Sequence, residues 1–478
     1  MSKIALWGPI IPIGLAAATL SSAIGSILIA PRTMQALAND DIIPVQPINK
    51  FLAKGKGDSN EPFNATIVTA VIVFTVVVMG NVDFVAQIIS MFFMITYGSL
   101  CLVSFLEHFA GNPSYRPTFR SKWYLSLLGA IGSFIMMFQM APLYAFIAMV
   151  AIIAIYLIIK SGREGEDDLS TMIKGALFQL TRKLQVLIQR KQASVTETGW
   201  RPSFIAVSST SLTRLAPFDL LRWISHYYGF GTFIHYIKGF LDESTNEEAR
   251  VKLDQLIKQS KTSKAGIYVD TIISPSFRTA VAQIVQIPGI SGMENNSILF
   301  EYHEDAEEDI TDIVDGCHFA SLVDYNICVL RSSEHHFGYK QNIHIWLTPG
   351  DYRNANLMIL IAYIIMGHPD WKNCRVELFA AFEEKELNKE MSRLNQLINK
   401  GRIPISNKNV NRIPWDKKVK TFETLVSDNS QASDLVIMGF SVSKVIKENG
   451  EFFKKFININ EILFVRAGQK IAISDTFE

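Results

Sequence analysis

Residues 4–30 read IALWGPIIPIGLAAATLSSAIGSILIA, and no ionisable side chain occurs between Lys3 and Arg32. At about 1.5 Å of rise per residue, this stretch is long enough to cross the roughly 30 Å hydrocarbon layer of a bilayer as one helix. Small residues recur at intervals of three and four and fall on one helical face: Gly14, Ala18, Ser21, Ser22, Gly25 and Ser26. Such a face either packs tightly on other helices or lines a polar path, and both arrangements predict a membrane protein.

Charge is distributed unevenly along the 478 residues. The first 160 contain only nine of the 46 Lys and Arg residues, whereas the rest has the composition of a soluble protein. The length favours two or three domains. We place a partial transmembrane transporter domain at residues 1–160, a linker with an amphipathic connector helix at 161–200, and a cytoplasmic α/β regulatory domain at 201–478.

Several function classes find no support in the sequence. A net charge of +1 without a dense basic block gives no reason to expect nucleic acid. Scattered cysteines without a CxxC pair argue against a disulfide framework or a zinc site: Cys101, Cys317, Cys328 and Cys374. The chain has neither GxGxxG after a strand nor GxxxxGK[ST]. We therefore expect no enzyme, no cofactor and no resident metal.

Four further apolar stretches follow the first, so we expect five membrane-spanning helices, the others at 65–80, 84–106, 123–141 and 143–159. The loops 32–63 and 108–122 are basic, and the alternate loops near 81–83 and at Pro142 carry no Lys or Arg. Because basic loops stay in the cytoplasm, both long loops and everything after Lys160 should be cytoplasmic. This leaves residue 1 outside without a targeting sequence, so we expect the C-terminal portion of a larger transporter, or one half of a split one.

Two kinds of side chain in these spans are candidate ion ligands. An ion in hydrocarbon needs oxygens or hydrogen-bond donors in place of its hydration, and Ser21 and Ser22 supply hydroxyls to which unwound carbonyls nearby could add. Alternatively, these serines let helices approach closely or bond back to the carbonyl four residues earlier. The Tyr97 phenol can donate to an anion, or can simply pack with its hydroxyl on a neighbouring helix.

The segment TLSSAIGSILIAPRTMQALANDDIIP at residues 19–44 closely resembles the eighth transmembrane helix and following loop of the cation–chloride cotransporters, in the amino acid–polyamine–organocation superfamily. Further segments resemble this family in the same order: GDSNEPFNA, IISMFFMITYGSL, NPSYRPTFRSKWYLSLLGAI, NIHIWLTPGD and WKNCRVELFA. The resemblance runs from helix eight to the C-terminus. It implies a partial LeuT-like membrane fold in the plasma membrane.

The resemblance also implies roles for individual residues. In sodium-coupled members, two adjacent serines of helix eight and a backbone carbonyl one turn earlier bind sodium, and these positions are Ser21, Ser22 and Ala18. The tyrosine of helix ten that holds chloride matches Tyr97. The resemblance thus implies transport of sodium and chloride, with potassium left open. The remaining ligands belong to broken helices one and six, which this chain does not contain, so a missing N-terminal transporter portion is an implied partner.

After a polar linker at 161–168, residues 169–190 show apolar positions at helical spacing. This helix either packs on its own domain or acts as a connector near the membrane or a twin subunit. The family resemblance favours the connector and implies a homodimer.

From residue 201 onward, strand-like and helix-like runs alternate, which predicts a mostly parallel sheet covered by helices. We expect strands at 204–208, 266–272, 298–302, 326–330, 343–347, 375–380, 435–439 and 462–465. The resemblance implies a pair of universal-stress-protein-like halves.

Three functions are consistent with the sequence. The first is the C-terminal part of a sodium-dependent cation–chloride symporter, whose membrane half transports and whose soluble half regulates. The second is a relative of the amino-acid permeases. The third is a membrane-anchored regulatory or assembly module that does not transport.

Overall fold

The computed structural model describes residues 9–43, 45–57, 59–78, 82–111, 122–161, 168–192, 200–306, 309–400, 407–416, 418–469 and 471. These residues form two compact units, Met1–Leu184 and Gln185–Glu478. The boundary between the units lies inside the helix at Asp168–Gln192.

The first unit is helical. Its helices are α1 (Ile10–Asn39), α2 (Gln46–Ala53), α3 (Phe63–Val78), α4 (Val82–Ala110), α5 (Trp123–Met140), α6 (Pro142–Ser161) and α7 (Asp168–Gln192). By length and composition, α1, α4, α5 and α6 can each cross a membrane. The α3 helix is apolar but has 16 residues, which is about 24 Å of helix and less than a full hydrocarbon layer. We expect five membrane-spanning helices from the sequence, and four helices among the described residues are long enough to span a membrane.

The first helix continues beyond the end of the charge-free stretch at residue 30. The first part of the predicted loop at 32–63 is therefore helical, and the loop prediction is wrong there. The α1 helix continues through Pro31 to Asn39, and part of the remaining segment forms α2. Proline removes one backbone N–H, but the residues after it include the good helix formers Met34, Gln35 and Leu37. The helix ends where Asp41 takes a φ of 50°.

Two small cores hold the helices of this unit together. Ala38, Leu52 and Ala65 join α1, α2 and α3. The second core joins α4, α5 and α6 through Met91, Met137, Ala141, Ala145 and Ala148. Small side chains predominate in both, which lets helix backbones approach closely, as is usual in membranes.

Two buried amides shape the segment between α1 and α3. The side-chain nitrogen of Gln35 donates to the carbonyls of Ala53 and Asn60, at 3.2 and 3.3 Å. The nitrogen of Asn49 donates to the carbonyl of Ile43 at 2.6 Å. Because these carbonyls belong to non-helical or helix-end backbone, the amides take the place of missing backbone partners. The described part of this loop is therefore built on side-chain hydrogen bonds.

The second unit is an α/β domain. Its strands are β1 (Ser203–Ser208), β2 (Phe230–Lys238), β3 (Tyr268–Ser274), β4 (Ser297–His303), β5 (Asn326–Ser332), β6 (Asn342–Leu347), β7 (Arg375–Phe382), β8 (Val410–Pro414), β9 (Leu435–Gly439) and β10 (Ile462–Arg466). Its helices are α8 (Ala216–Ser225), α9 (Glu243–Thr262), α10 (Phe277–Ile284), α11 (Asp309–Leu322), α12 (Ala355–Met366), α13 (Glu384–Lys400), α14 (Phe422–Ser430), α15 (Val442–Lys447) and α16 (Glu451–Lys454).

The ten strands form one sheet made of two similar halves. The strand order is β3-β2-β1-β4-β5-β10-β9-β6-β7-β8. Within each half the neighbours are parallel, and the halves meet through the antiparallel pair β5 and β10. The two halves have the same strand order. In each half the first strand is central, the second and third strands lie on one side of it, and the fourth and fifth lie on the other. The predicted mostly parallel sheet covered by helices is confirmed.

Some strand predictions are displaced or incomplete. The strand expected at 266–272 lies at Tyr268–Ser274, and β2 and β8 were not predicted. The β2 segment contains Gly231, and β8 is an edge strand with polar residues and a terminal proline, so neither carries a strong strand pattern.

Replacing the buried amide of Gln35 should loosen the loop without unfolding the unit. Gln35→Leu removes both hydrogen bonds and leaves two carbonyls unsatisfied, which costs about 1–3 kcal/mol for each group that stays buried. Amide hydrogen exchange at residues 54–61 should therefore accelerate, while exchange in α4 and α5 stays unchanged.

Gln35→Glu serves as the control because its carboxylate keeps the size of the side chain but cannot donate to the same carbonyls. We expect the same acceleration with Glu as with Leu. Unchanged exchange in both variants would contradict a structural role for the amide.

Candidate ion-binding site

The small-residue face of α1 is open in this chain. Ala18, Ser21 and Ser22 are all exposed. A Cβ atom built on Gly14 or Gly25 would have no atom within 4 Å. No described residue therefore covers this face, and the three candidate sodium ligands lie together within little more than one helical turn.

The hydroxyls of Ser21 and Ser22 do not bond back along the helix as the threonines of the apolar helices do, a feature they share with Ser26. Thr19 donates to the carbonyl of Leu15 at 3.0 Å, and Thr96 donates to the carbonyl of Phe92 at 2.8 Å. Similar bonds back along the helix are made by Thr33, Thr75 and Ser90. Among the described residues, Ser21 and Ser22 make no side-chain hydrogen bond. The alternative in which these serines bond back to their own helix is therefore not what this structure adopts.

The backbone near the serines is regular helix. Residues Ile10–Asn39 form one continuous α-helix, so the expectation of unwound carbonyls near Ser21 and Ser22 is wrong for this structure. The Ala18 carbonyl is four residues before Ser22 and thus meets its N–H in the helical pattern. A carbonyl has two lone pairs, so one remains on the Ala18 oxygen for another partner.

Tyr97 lies on α4 with 58% of its surface exposed. Its ring stacks on Phe93 of the same helix, with centroids 6.1 Å apart and planes inclined by 14°. Its hydroxyl has no hydrogen-bond partner among the described residues. The alternative in which this hydroxyl bonds to a neighbouring helix is not seen there. The contact of Tyr97 is with its own helix, so the structure does not join the phenol to the serines of α1.

Sequence reasoning missed the buried amides Gln35 and Asn49, which are 7% and 1% exposed. The available signal was an amide within the otherwise apolar helical pattern that follows Pro31. An isolated amide carries no information about its partner, because the carbonyls it meets are 18 and 25 residues away.

The α/β domain fills one of its usual ligand positions with its own side chains. In open α/β sheets, ligands bind beyond the carboxyl ends of strands where the strand order reverses, here between β6 and β9. Asp351 occupies this position, with one oxygen 1.7 Å from where a Cβ on Gly439 would lie. Its other oxygen accepts from Thr348 N and Oγ1, at 2.9 and 2.6 Å. Burial raises the pKa of this carboxyl, against the lowering effect of those hydrogen bonds.

Histidines and carboxylates do not form a metal site in the described part of the chain, where no group of three or more such side chains is arranged to hold an ion. His344 is directed to Ser430, with Nδ1 2.9 Å from its hydroxyl. His336 instead approaches Asp219, at 3.1 Å.

Comparison with known families matches both units. The amino acid permease family model matches residues 1–187, and the solute carrier family 12 model matches residues 335–453.

Several curated relatives align with the chain. Solute carrier family 12 member 9 of Xenopus laevis is 27% identical over 64% of this chain and 33% of its own length. Cation-chloride cotransporter 2 of Oryza sativa subsp. japonica is 26% identical over 78% of this chain and 38% of its own length. Potassium/chloride cotransporter 3 of Caenorhabditis elegans is 23% identical over 80% of this chain and 36% of its own length. The chain thus spans about a third of the length of the curated relatives it matches.

Solved structures also align with the chain. The cytoplasmic domain of a prokaryotic cation chloride cotransporter covers 57% of this chain and 99% of its own, with 15% identity and a TM-score of 0.41. A putative universal stress protein from Pseudomonas aeruginosa covers 56% of this chain and 94% of its own, with 13% identity and a TM-score of 0.39.

The apolar helices and the amino acid permease match indicate a membrane-type protein that is similar to transporters over its first 187 residues. Within that class, the solute carrier family 12 model over residues 335–453 and the aligned relatives show that the chain is similar to the solute carrier 12 family, the cation–chloride cotransporters.

Cysteine labelling can determine which face of α1 contacts water and which contacts lipid. Ser22→Cys should react with a charged, water-soluble methanethiosulfonate in membranes, because an open hydroxyl-bearing face should contact water. Leu20→Cys, at an exposed apolar position on the opposite face, is the matched control and should be protected by lipid. Both variants should be built without Cys101 and Cys374, the two half-buried native thiols. Equal protection of both positions would contradict a wet serine face.

Proposed function

We propose that this chain is the C-terminal part of a sodium-dependent cation–chloride symporter. The pair of hydroxyls at Ser21 and Ser22, free of bonds to the described residues on an open helical face, is the observation that carries the proposal. The names of the curated relatives, which are cation–chloride and potassium/chloride cotransporters, support ion cotransport. The other ligands would come from the missing N-terminal transporter portion.

Sodium would be held by the hydroxyl oxygens of Ser21 and Ser22 and by the Ala18 carbonyl. An unpaired ion in a medium of low dielectric constant costs on the order of 20 kcal/mol in idealised form, so each oxygen that replaces a water lowers the barrier to entry. Because α1 is unbroken, these three oxygens keep a fixed spacing. Closure over the ion would then depend on movement of the other helices rather than of α1.

Chloride would be held by the hydroxyl of Tyr97. A phenol is a hydrogen-bond donor that carries no charge of its own at neutral pH, so it can bind an anion without forming a permanent ion pair. Transport would proceed by alternating access driven by the sodium gradient, with no covalent chemistry. We further propose a plasma-membrane location and a homodimer formed through the cytoplasmic domain and α7.

Removing one sodium ligand should weaken sodium dependence. In cells that express the complete transporter of which the chain is proposed to be a part, Ser22→Ala should raise the sodium concentration for half-maximal chloride uptake by at least about tenfold. The reason is that losing one interaction with a charged group costs about 1.5–3 kcal/mol. The measurement is sodium-dependent uptake of radioactive chloride.

Ser26→Ala is the matched control, since it removes the same hydroxyl from the same helix one turn further on. Its sodium dependence should be that of the unchanged protein. Sodium-driven uptake that is unaltered in Ser22→Ala would reject the sodium assignment.

Tyr97→Phe should affect chloride rather than sodium. It removes the donor but keeps the ring that stacks on Phe93, so chloride affinity should fall about tenfold with little change in the amount of protein in the membrane. Tyr144→Phe is the control because that ring packs edge-on against Phe84, with centroids 5.8 Å apart. A chloride dependence that is the same in both variants would argue against Tyr97 as a ligand.

Two other transport functions have specific support. The Caenorhabditis elegans relative is a potassium/chloride cotransporter, so chloride uptake that requires potassium and ignores sodium would favour that function. The amino acid permease match covers the membrane half, and uptake of labelled amino acids that ignores chloride would favour a permease. Uptake of labelled chloride and of labelled amino acids, measured in the same cells, distinguishes the sodium-dependent symporter, the potassium/chloride cotransporter and the permease.

A further inference from the structure

A cavity of about 570 Å³ lies between α1, the loop after α2 and the start of α3. Its wall contains the cationic side chains Arg32 and Lys56, the apolar side chains Ile27 and Phe63, and the carboxylate Glu61. This volume is within the range of small-molecule binding sites. The cavity is therefore large enough for a phosphate group with part of an attached chain.

The position of this cavity along α1 places it at the membrane boundary. Arg32 is the first charged residue after the charge-free stretch 4–30, and Ile27 lies more than one helical turn before Arg32, inside that stretch. A charge that ends a hydrophobic span normally lies at the level of the lipid headgroups. The cavity thus has a cationic part at headgroup depth and an apolar part toward the hydrocarbon.

The two cations of this cavity form no ion pair with a described carboxylate. Among the described residues, neither Arg32 nor Lys56 has a carboxylate within 4 Å, although Glu61 lines the same cavity. The ammonium of Lys56 lies 5.0 Å from the centre of the Phe63 ring. Among the described lining residues, two positive charges outnumber the single carboxylate of Glu61, and this excess favours an anion between the two cations.

The neighbouring helix α2 carries an exposed apolar ridge. Val45, Ile48 and Phe51 are 46%, 44% and 51% exposed and are spaced three residues apart, whereas Leu52 and Asn49 face the protein. Lys50 and Lys54 lie beside this ridge. A short helix with one apolar and one cationic side is typical of a segment that lies in the membrane interface. This second observation favours lipid as the material beside the cavity.

We propose that the cavity binds the phosphate of an anionic phospholipid from the adjacent leaflet. Arg32 and Lys56 contact the phosphate, and the acyl chains run along Ile27 and the start of α3. The basic loops predict that this leaflet is the cytoplasmic one, where anionic lipids are concentrated. This site is separate from the ion ligands and does not depend on which ions are carried.

The test measures lipid retained by the full chain in detergent, by native mass spectrometry after mixing with phosphatidylglycerol or phosphatidylcholine. The unchanged chain should retain phosphatidylglycerol preferentially. The double variant Arg32→Gln with Lys56→Gln should retain at least fivefold less of it. The charge-preserving pair Arg32→Lys with Lys56→Arg should retain most of it, and this pair also shows whether the loop tolerates substitution.

Lys122→Gln with Arg182→Gln is the matched control, because it removes two exposed charges of the same unit outside the cavity. Retention equal to that of the Arg32 and Lys56 double variant would overturn the proposal. Displacement of the lipid by millimolar inorganic phosphate alone would also overturn it, since the acyl chains would then contribute nothing.

A protein segment is the competing occupant. In the complete transporter, a photoreactive phosphatidylglycerol should label residues 56–66. A photoreactive residue at Ser59 that captures another protein segment, with no labelling by the lipid, would overturn the proposal.

Discussion

The exclusion of charge and unpaired backbone groups from hydrocarbon is the constraint on which the membrane half depends. It explains why α1 crosses residues 10–30 without an ionisable group and why threonine hydroxyls in the apolar helices bond back to carbonyls of the preceding turn. Under this constraint, a hydroxyl that stays free is an exception with a cost. Ser21 and Ser22 are two adjacent hydroxyls of this kind, and we propose that they face a cation path.

The α/β domain is built from two halves with the same strand order. Each half of the sheet has the order of a doubly wound unit, and the antiparallel pair β5 and β10 joins the halves into ten continuous strands. Joining the halves covers one edge of each, and β3 and β8 are the two edges of the sheet formed by the described strands. On β3, Asp270 accepts from the backbone N–H of Thr271, at 2.8 Å, so one edge donor is already occupied.

The sequence was most informative where one strong physical signal acts alone. Apolar runs of sufficient length predicted the long helices, and β-branched runs predicted most strands of the buried sheet, with the exact limits of β9. Prediction failed where the decisive partner is distant. The strand β8 is recognisable only by its pairing with β7, and the order of the loop before α3 depends on Gln35 meeting carbonyls far along the chain. The ligand residues came from family resemblance, and no spacing rule would have selected Tyr97.

The spacing along α1 relates the position of Arg32 to the depth of the serines in the bilayer. Because α1 is one continuous helix, Ser22 lies ten positions, or about 15 Å along the axis, from Arg32. If Arg32 is fixed at the headgroup level, the serines lie about half-way through a hydrocarbon layer of roughly 30 Å. Tyr97 lies near the middle of α4, Val82–Ala110. Substrate sites of secondary transporters are found near the bilayer midplane, so the same charge that would hold a lipid also sets the candidate ligands at the depth where ions would have to bind.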